Sequence, residues 1–264
     1  MIKFCITHDK SHKHIENIGY QPVGLGEDNF PKNWIRDNTG DNISFKNQYY
    51  DMYTFHYWLW KNQISNYKEG VWVNFSTYRR FWKNQNNLNN SNLLKENILQ
   101  DAPEEWKNFE TVLSEPTDLR KIKLSKILKK GKKLVFKNPK LLFNKDKRNI
   151  KFHFDLMHLE GNLKKALTLI DEKERNEFTD FLNNNYEISL WNLFCCNSPK
   201  LLNQWYNSVF TWLFKCEKIF GFKNLKGYET GRIYAYLAER YLPYWFKKYS
   251  KTLVWPIYFN KDID

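Results

Sequence analysis

Residues 37–41, Asp-Asn-Thr-Gly-Asp, form a run of small polar residues whose types suit an anion-binding turn. Such residues favour a tight, exposed turn. An aromatic run follows, and four of its side chains recur at three- and four-residue spacing: Tyr49, Tyr53, Tyr57 and Trp60. This spacing predicts the buried face of a helix. The turn would then open that helix, where free backbone N–H groups and the helix dipole favour an anion; a plain cap on a core helix is the alternative.

Polar residues also follow two predicted strands. Residues 2–7 are apolar enough for a buried first strand, and they end in the polar run Thr7-His8-Asp9-Lys10. Residues 70–77 alternate as a central strand does, and Tyr78-Arg79-Arg80 follows them. Ligands of an open α/β sheet gather at the carboxyl ends of its strands, and arginine binds a diphosphate in bidentate fashion. The alternative is that one arginine pairs with a carboxylate while the other is solvated.

Two other features near the first strand are less specific. His8, His12 and His14 lie among lysines without a convincing ligand set, so solvated loop histidines are expected rather than a metal site. Gly24 and Gly26 permit a close backbone approach to a ligand, although each could serve only the local turn.

The second half of the chain offers hydroxyl-binding and acid–base groups. Asn192, at the end of a strand predicted over residues 187–196, can both donate to and accept from hydroxyl groups. Arg232 and Glu239 are seven residues apart, hence on one face of a helix that also carries Arg240. Glu239 could act as a general base, but an ion pair that holds an arginine is the favoured interpretation. His158 is expected to be structural, with ligand contact as the alternative.

The composition indicates a folded protein with an anionic partner. The 264 residues are 42% hydrophobic and 18% aromatic, and the net charge is +13. That charge favours nucleic acid, an anionic membrane surface or a phosphorylated substrate. The four cysteines form no C-x-x-C pair, which suits a reducing cytoplasm and argues against structural zinc. Neither a membrane-spanning run nor a signal peptide is predicted, so we expect a cytoplasmic protein or one peripheral on the cytoplasmic face of a membrane.

Nearly all of the excess charge lies in residues 119–149, here called the basic segment. It holds thirteen lysines and arginines and one acidic residue, Asp146. Apolar residues are interleaved with the lysines, among them Leu124, Ile127 and Leu128. A basic amphipathic segment of this type binds an anionic leaflet or the phosphates of an acceptor, which is the favoured interpretation. A solvated, partly disordered loop and an RNA-binding segment are the alternatives.

Several sequence words resemble those of the DUF4422 family, bacterial glycosyltransferases of capsule and lipopolysaccharide gene clusters. They are THDK at 7–10, DNTGDNIS at 37–44, KN at 46–47, YW-x-WKN at 57–62, YRRFW at 78–82, N-x-F at 192–194 and R-x-x-x-YLAER at 232–240. They keep the family's order and span most of the chain. The resemblance implies one α/β domain over residues 1–264, with a GT-A-like (Rossmann-like) mixed sheet flanked by helices. It also implies that the basic segment, at about 118–150, is an insertion before a helical C-terminal part.

The resemblance further implies sugar transfer from a nucleotide-sugar donor, a UDP-sugar, to a lipid-linked or polysaccharide acceptor. The implied donor-binding residues are Thr7, His8, Gly24, Asp37, Asn38, Asp41, Asn42, Lys46, Asn47, Tyr78, Arg79 and Arg80. The implied acceptor-binding residues are His158, Asn192, Arg232 and Arg240, and the candidate bases are Asp41 and Glu239. Transferases of the GT-A type often hold a metal with Asp-x-Asp after a central strand. Arginines stand there in this chain, so we expect neither a divalent metal nor a tightly bound cofactor.

The chain departs from the family pattern at one position. The resemblance implies a glutamate in the helix after KN, where this sequence has Met52, with Asp51 one residue earlier. One residue is about 100° around a helix, so Asp51 is not a simple substitute. A different donor, a shifted role or lost activity all remain open.

Two other functions are alternatives for the whole chain: a nucleic-acid- or membrane-binding protein without transferase activity, and an enzyme that transfers a phosphoryl-type group onto a glycan. RNA binding would leave residues 37–44 and 78–82 unexplained, so no nucleic-acid partner is expected.

Overall fold

A computed structural model of the chain describes residues 1–86 and 93–261. The Asn-rich stretch at 83–100, whose composition predicts a loop, lies partly outside the described residues. The chain divides into two compact units. The first comprises Met1–Glu115, Trp191–Ser208 and Trp245–Asp264, and the second comprises Pro116–Leu190 and Val209–Tyr244.

The described strands carry the following bounds. They are β1 (Ile2–Thr7), β2 (Gln21–Gly24), β3 (Ile35–Arg36), β4 (Val73–Thr77), β5 (Arg80–Trp82), β6 (Thr111–Ser114), β7 (Thr117–Asp118), β8 (Glu187–Ile188), β9 (Phe194–Cys196), β10 (Thr252–Trp255) and β11 (Ile257–Phe259). The predicted strand over 187–196 is thus two short strands, because Trp191 and Asn192 both adopt positive φ and interrupt the extended backbone.

The described α-helices are α1 (Asn47–Tyr50), α2 (Tyr53–Asn62), α3 (Leu94–Asn97), α4 (Leu124–Lys130), α5 (Lys132–Lys137), α6 (Lys140–Phe143), α7 (Ile150–His158), α8 (Asn162–Leu167), α9 (Glu172–Asn184), α10 (Pro199–Phe220), α11 (Gly227–Thr230) and α12 (Ile233–Tyr249). The amphipathic pattern of residues 161–183 predicts one helix, but the structure has two, because the side chain of Asp171 accepts from Lys173 N and α9 begins after it. No helix among the described residues is long and apolar enough to cross a bilayer.

The first unit is built on one mixed sheet. Its order is β10-β6-β9-β4-β1-β2-β3, and β5 and β11 extend it from β4. Strands β4, β1, β2 and β3 run parallel, while β9 runs antiparallel between β4 and β6. The prediction of a mixed α/β sheet flanked by helices is confirmed. The parallel strands read as apolar runs because both faces are covered: Phe4, Cys5 and Ile6 of β1 are all buried.

The aromatic helix α2 packs on this sheet. Phe55 lies 5.1 Å from the ring of Phe4, and the buried ring of His56 lies 4.6 Å from Phe75 of β4. The prediction that residues 37–41 open this helix is wrong. A 3-10 helix at Ser44–Lys46 and the short α1 intervene, and α2 begins at Tyr53.

The second unit is mainly helical, with β7 and β8 as a two-stranded antiparallel sheet. Its core is aromatic: the ring of Phe178 lies 5.2 Å from Tyr241, 4.9 Å from Tyr244 and 6.0 Å from Trp212. The four cysteines of the chain are buried and free, as expected for a protein without a disulfide framework.

The basic segment is folded within this unit. Ile127 and Leu141 form a small core with Phe152 and Leu156 of α7. The buried guanidinium of Arg148 donates to four backbone carbonyls, those of Arg120, Ile122, Leu141 and Leu142, at 3.0–3.3 Å. The Arg148 side chain therefore joins the two ends of the basic segment, and the alternative of a partly disordered loop is not met.

Candidate functional site

The candidate site lies at the carboxyl ends of the parallel strands in the first unit. Pairing aligns Ile6 with Thr77, Thr7 with Gly24, and Gly24 with Arg36, so four strands end at one edge. The chain runs from β1 outward to β2 and β3, then returns to place β4 on the other side of β1. Such a reversal of strand order leaves a crevice where ligands of open α/β sheets bind. The predicted gathering of Thr7, His8 and Tyr78 is therefore observed.

His8 and Asp51 form the central pair of this edge. His8 Nε2 lies 2.5 Å from Asp51 Oδ1, and both side chains are half-buried. Asp51 separates α1 from α2 and has φ 52° and ψ −136°. Residues other than glycine rarely adopt this backbone conformation, which costs them about 1–3 kcal/mol. Strain of this kind clusters at functional sites, where surrounding contacts maintain it.

Two neighbouring side chains hold the backbone of Asp51. Asp51 N donates to Asn47 O at 2.8 Å, and Asn47 Nδ2 donates back to Asp51 O at 3.1 Å. Thr54 Oγ1 donates to the same carbonyl at 3.0 Å. Asn47 also donates to Thr54 Oγ1 at 2.9 Å, which ties these two side chains together. Asn47, predicted to bind the donor, therefore positions Asp51.

Asp37 contributes a second carboxylate to this edge, directly after β3. It is fully buried rather than exposed as predicted, and neither of its oxygens accepts a hydrogen bond. Burial raises the pKa of Asp37, and the charges of Arg36 and His8 act in the opposite direction. A buried carboxyl group with a raised pKa marks a candidate for proton transfer or ligand contact.

Arg36 shapes the loop around this site. Its guanidinium donates to the carbonyls of Gly24 at 3.0 Å, Gly26 at 2.5 Å and Asp28 at 3.0 Å. Gly24 itself has a packing role, because a Cβ atom there would lie 2.3 Å from the ring of Phe30. The absence of a side chain at Gly24 is thus explained without a ligand.

Residues 38–41 pack on the C-terminal half of α2. Trp58 Nε1 donates to Thr39 Oγ1 at 3.0 Å, and Tyr57 OH donates to Asp41 Oδ1 at 3.2 Å. Asn62, the last residue of α2, bonds both the N–H and the carbonyl of Asp41. The dipole at this end of a helix is negative, so the argument for an anion at a helix start does not hold here.

The remaining predicted residues of this stretch have local roles or lie at the surface. Asn42 Oδ1 accepts from the N–H and hydroxyl of Ser44, which starts the 3-10 helix. The ammonium group of Lys46 lies 5.9 Å from the ring of Tyr50. Asn38 is exposed.

Tyr78, Arg79 and Arg80 form an aromatic and cationic rim beside β1. Tyr78 N donates to Ile6 O at 3.2 Å, and the ring of His12 stacks on Tyr78 at 4.1 Å. The guanidinium of Arg79 lies 5.3 Å from the Tyr78 ring, and its buried Nε has no partner. That of Arg80 lies 3.9 Å from the indole of Trp191.

Trp191 and Asn192 bring a third segment to the first unit's polar side chains. Both residues have positive φ, 77° and 54°, which is costly for a tryptophan, whereas asparagine adopts this region more readily. Asn192 Oδ1 accepts from the hydroxyl of Tyr53 at 3.0 Å, two residues beyond Asp51. Asn192 is thus the one predicted acceptor-side residue that belongs to the same unit as the predicted donor residues.

The other predicted acceptor-side residues lie in the second unit. Arg240 is buried and donates to Glu239 and, at 3.1 Å, to His153 Nδ1. This arrangement favours the structural ion pair over a catalytic base at Glu239. His158 stacks on Tyr236 at 3.8 Å and donates to Glu229 O at 3.3 Å, and burial lowers its pKa to about 2. His158 and Arg240 are therefore packing residues of this unit, and Arg232 is exposed.

The described residues, 1–86 and 93–261, contain no group of three or more His, Cys, Asp or Glu side chains that could hold a metal ion. His14 Nε2 donates to Tyr78 O at 2.9 Å, and His12 stacks on the same tyrosine. Both histidines thus support the position of Tyr78.

The family model for a domain of unknown function, DUF4422, matches residues 3–251. The chain belongs to the DUF4422 family. The match covers both units, and it confirms the resemblance seen in the sequence words. No curated protein matches the sequence.

This DUF4422 chain is similar in fold to a solved structure, that of the bifunctional glycosyltransferase WbbM in its apo form. The TM-score is 0.62 at 17% sequence identity, and the alignment covers 98% of this chain. It covers 45% of the WbbM chain, so this chain spans just under half of that protein's length. The likeness establishes a glycosyltransferase-type fold for the DUF4422 chain.

Sequence reasoning does not predict the contacts that Asp51 makes with Asn47, Thr54 and His8 at the candidate site. In the sequence, Asp51 stands out only by its place beside the departure at Met52. The signal that could have found it is the sequence N-x-x-x-D-x-x-T at 47–54, whose polar residues interrupt an aromatic helical pattern. An interruption of this kind predicts a backbone break, and a polar residue at such a break is a candidate site residue.

Proposed function

We propose that this chain is a glycosyltransferase that moves a sugar from a nucleotide-sugar donor, a UDP-sugar, to a capsular or lipopolysaccharide glycan in the cytoplasm. One observation carries the proposal: the His8–Asp51 pair and the unpaired Asp37 meet at the carboxyl edge of β1 and β3. The glycosyltransferase-type fold supports it. The acceptor is a growing polysaccharide or a lipid-linked glycan.

The donor's diphosphate is assigned to the rim formed by Tyr78, Arg79 and Arg80. Two guanidinium groups lie against aromatic rings at this edge, and arginine donates to a diphosphate in bidentate fashion. Arginine charge stabilises the departing nucleoside diphosphate as its negative charge grows. Transfer on this basis requires no divalent metal, and the metal-free donor site remains part of the proposal.

The acid–base role is assigned to His8 and Asp51 in place of Asp41 and Glu239. A base removes the proton of the acceptor hydroxyl, whose oxygen then bonds to the anomeric carbon as the bond to the diphosphate breaks. Asp51 orients the imidazole of His8 through Nε2, as a carboxylate does in other paired catalytic sites. Glu239 is occupied by Arg240, and Asp41 accepts from Tyr57 at the surface. Asn192, which accepts a hydrogen bond from the hydroxyl of Tyr53, is assigned to the acceptor side of the site.

A thermal-shift panel tests the donor site. UDP, GDP, CMP and their sugars are compared, each with manganese and with EDTA. We expect stabilisation by UDP and a UDP-sugar in EDTA, lost in Arg79→Ala and retained in Lys200→Ala, an exposed cation of the same unit. No shift with any nucleotide would refute the proposal, and a shift that requires manganese would refute its metal-free form. Transfer of a phosphoryl-type group onto a glycan is the alternative enzymatic hypothesis. The mass of the product distinguishes it from sugar transfer.

A further inference from the structure

The basic segment carries a dense, exposed positive charge on a folded support. All eleven of its lysines are exposed, whereas Arg148 is buried and holds the segment's backbone. Acidic neighbours neutralise little of this charge. Lys137 pairs with Glu160 at 2.6 Å, and Arg120 pairs with Asp118 at 2.9 Å. The remaining positive field attracts a polyanionic surface.

The same segment exposes large apolar side chains. Phe136 is 88% exposed and Phe143 is 86% exposed, which makes them the most exposed large hydrophobic residues of the described chain. Leu124 and Leu128 are each 48% exposed and lie one turn apart on α4. The segment buries other apolar residues, Ile127 and Leu141, in its own core. Exposure of the two phenylalanines is therefore a feature of the folded segment rather than a result of its being unfolded.

A cavity of about 560 Å³ lies next to Phe143. Its lining joins that ring to Pro139, Lys140, Asn144, Lys145 and Asp146. Two ammonium groups beside an exposed aromatic ring match a phosphodiester attached to an acyl chain, because the lysines contact the phosphate while the ring enters the apolar layer.

We propose that the basic segment docks this protein on an anionic lipid bilayer, with Phe136 and Phe143 inserted at the interface and the lysines on lipid phosphates. Each basic residue near such a surface adds electrostatic attraction, and the aromatic rings add apolar burial. A single-stranded RNA would also find charge and aromatic rings, but the exposed Leu124 and Leu128 offer no stacking surface to bases. The bilayer accounts for all four apolar residues. The proposal does not depend on sugar transfer.

Vesicle flotation of the full chain tests the proposal. Vesicles of phosphatidylcholine alone are compared with vesicles of equal parts phosphatidylcholine and phosphatidylglycerol. We expect binding only to the anionic vesicles. Phe136→Ser with Phe143→Ser should weaken it roughly tenfold or more, because two large apolar groups leave the interface. The matched control is Phe45→Ser, which removes a phenylalanine that is 72% exposed in the first unit.

A charge-matched pair of variants separates a local site from net charge. Lys140→Glu with Lys145→Glu alters the cavity, while Lys10→Glu with Lys200→Glu changes the net charge equally elsewhere. We expect only the first pair to weaken vesicle binding strongly. Equal losses in both pairs, or no effect of the phenylalanine variant, would overturn the proposal. So would salt-sensitive binding of a poly(U) oligonucleotide without vesicle binding, because it would assign the segment to RNA.

Discussion

The imidazole of His8 contacts the carboxylate of Asp51, with 2.5 Å between Nε2 of the histidine and Oδ1 of the aspartate. The two residues come from different parts of the fold: His8 follows β1, and Asp51 occupies the break between α1 and α2. The break turns the carboxylate of Asp51 towards the carboxyl edge of the sheet. The strained backbone and the histidine contact are therefore two aspects of one arrangement.

The strain at Asp51 predicts an inverted order of stability for two substitutions. Asp51→Gly and Asp51→Ala both remove the carboxylate, but only glycine tolerates φ 52° without cost. We expect Asp51→Gly to exceed Asp51→Ala in free energy of unfolding by about 1–2 kcal/mol, measured by urea denaturation. The control is Asp180, an exposed residue inside α9. There the alanine variant should have the higher free energy of unfolding, by roughly 0.5–1 kcal/mol. The same order at both positions would contradict a strained Asp51.

The contact between His8 and Asp51 predicts strongly non-additive effects on turnover. We expect His8→Gln and Asp51→Asn each to lower kcat by about 10²-fold, because either removes the oriented base. The double variant should be little slower than either single one, since residues that act as a unit do not add. Nucleotide release from the most stabilising donor provides the measurement, with Asp180→Asn as the control. Losses that multiply would show that the two residues act independently.

The strands that end at the site were predictable from sequence, because each is an apolar run followed directly by polar residues. Thr7-His8 and Tyr78-Arg79-Arg80 lie at one sheet edge for this reason. The sheet neighbours were not predictable, since β9 enters between β4 and β6 from a distant part of the chain. Its insertion depends on long-range pairing that no local pattern contains.

The environment of Asp51 also escaped sequence reasoning, for a physical reason. Asn47 and Thr54 hold the backbone of Asp51 from within the same stretch, but its contact with His8 joins residues 43 positions apart, and no local pattern contains that contact. In α12, Glu239 accepts from the adjacent, buried Arg240. A pair of neighbouring residues has no helical periodicity, so the spacing of the sequence does not predict this contact.

Buried histidines predict a loss of stability in mild acid. Burial lowers the pKa of His56 to about 3 and that of His158 to about 2, and it also lowers the pKa of His153. These groups stay neutral in the folded chain, while unfolded histidines bind a proton below about pH 6.5. The free energy of unfolding should therefore fall by about 1.4 kcal/mol per pH unit for each such histidine as the pH drops below that value. The raised pKa of Asp37 has the opposite sign, because its folded form binds a proton first.

Urea denaturation across this pH range provides the measurement. His56→Gln should reduce the slope of the free energy of unfolding against pH by the contribution of one histidine, because glutamine does not titrate. The glutamine can still form a hydrogen bond with the hydroxyl of Tyr206. Parallel stability curves for the variant and the parent chain would show that His56 is not a source of the acid sensitivity.

The packing of Phe30 over Gly24 predicts a coupled pair of substitutions. In Gly24→Ala, the new Cβ would meet the Phe30 ring at 2.3 Å, so overpacking should cost about 1–3 kcal/mol. In a Phe30→Leu background, the cost of Gly24→Ala should shrink to less than half, and urea denaturation of the four proteins gives the coupling energy. An unchanged cost would assign Gly24 a role other than packing, and a nucleotide shift lost in Gly24→Ala but not in Phe30→Leu would point to the donor.

Arg148 predicts how the basic segment unfolds. Its guanidinium donates to the carbonyls of Arg120, Ile122, Leu141 and Leu142, so Arg148→Met leaves four buried or part-buried carbonyl groups without this donor. We expect local destabilisation of about 2–4 kcal/mol, seen as faster hydrogen exchange across residues 119–149 and earlier cleavage by trypsin. Lys147→Met, one residue away and exposed, should change neither by a measurable amount. Equal protection in both variants would show that the segment's small core, rather than Arg148, maintains its fold; faster exchange confined to Arg148→Met would establish the guanidinium as the support of the exposed phenylalanines.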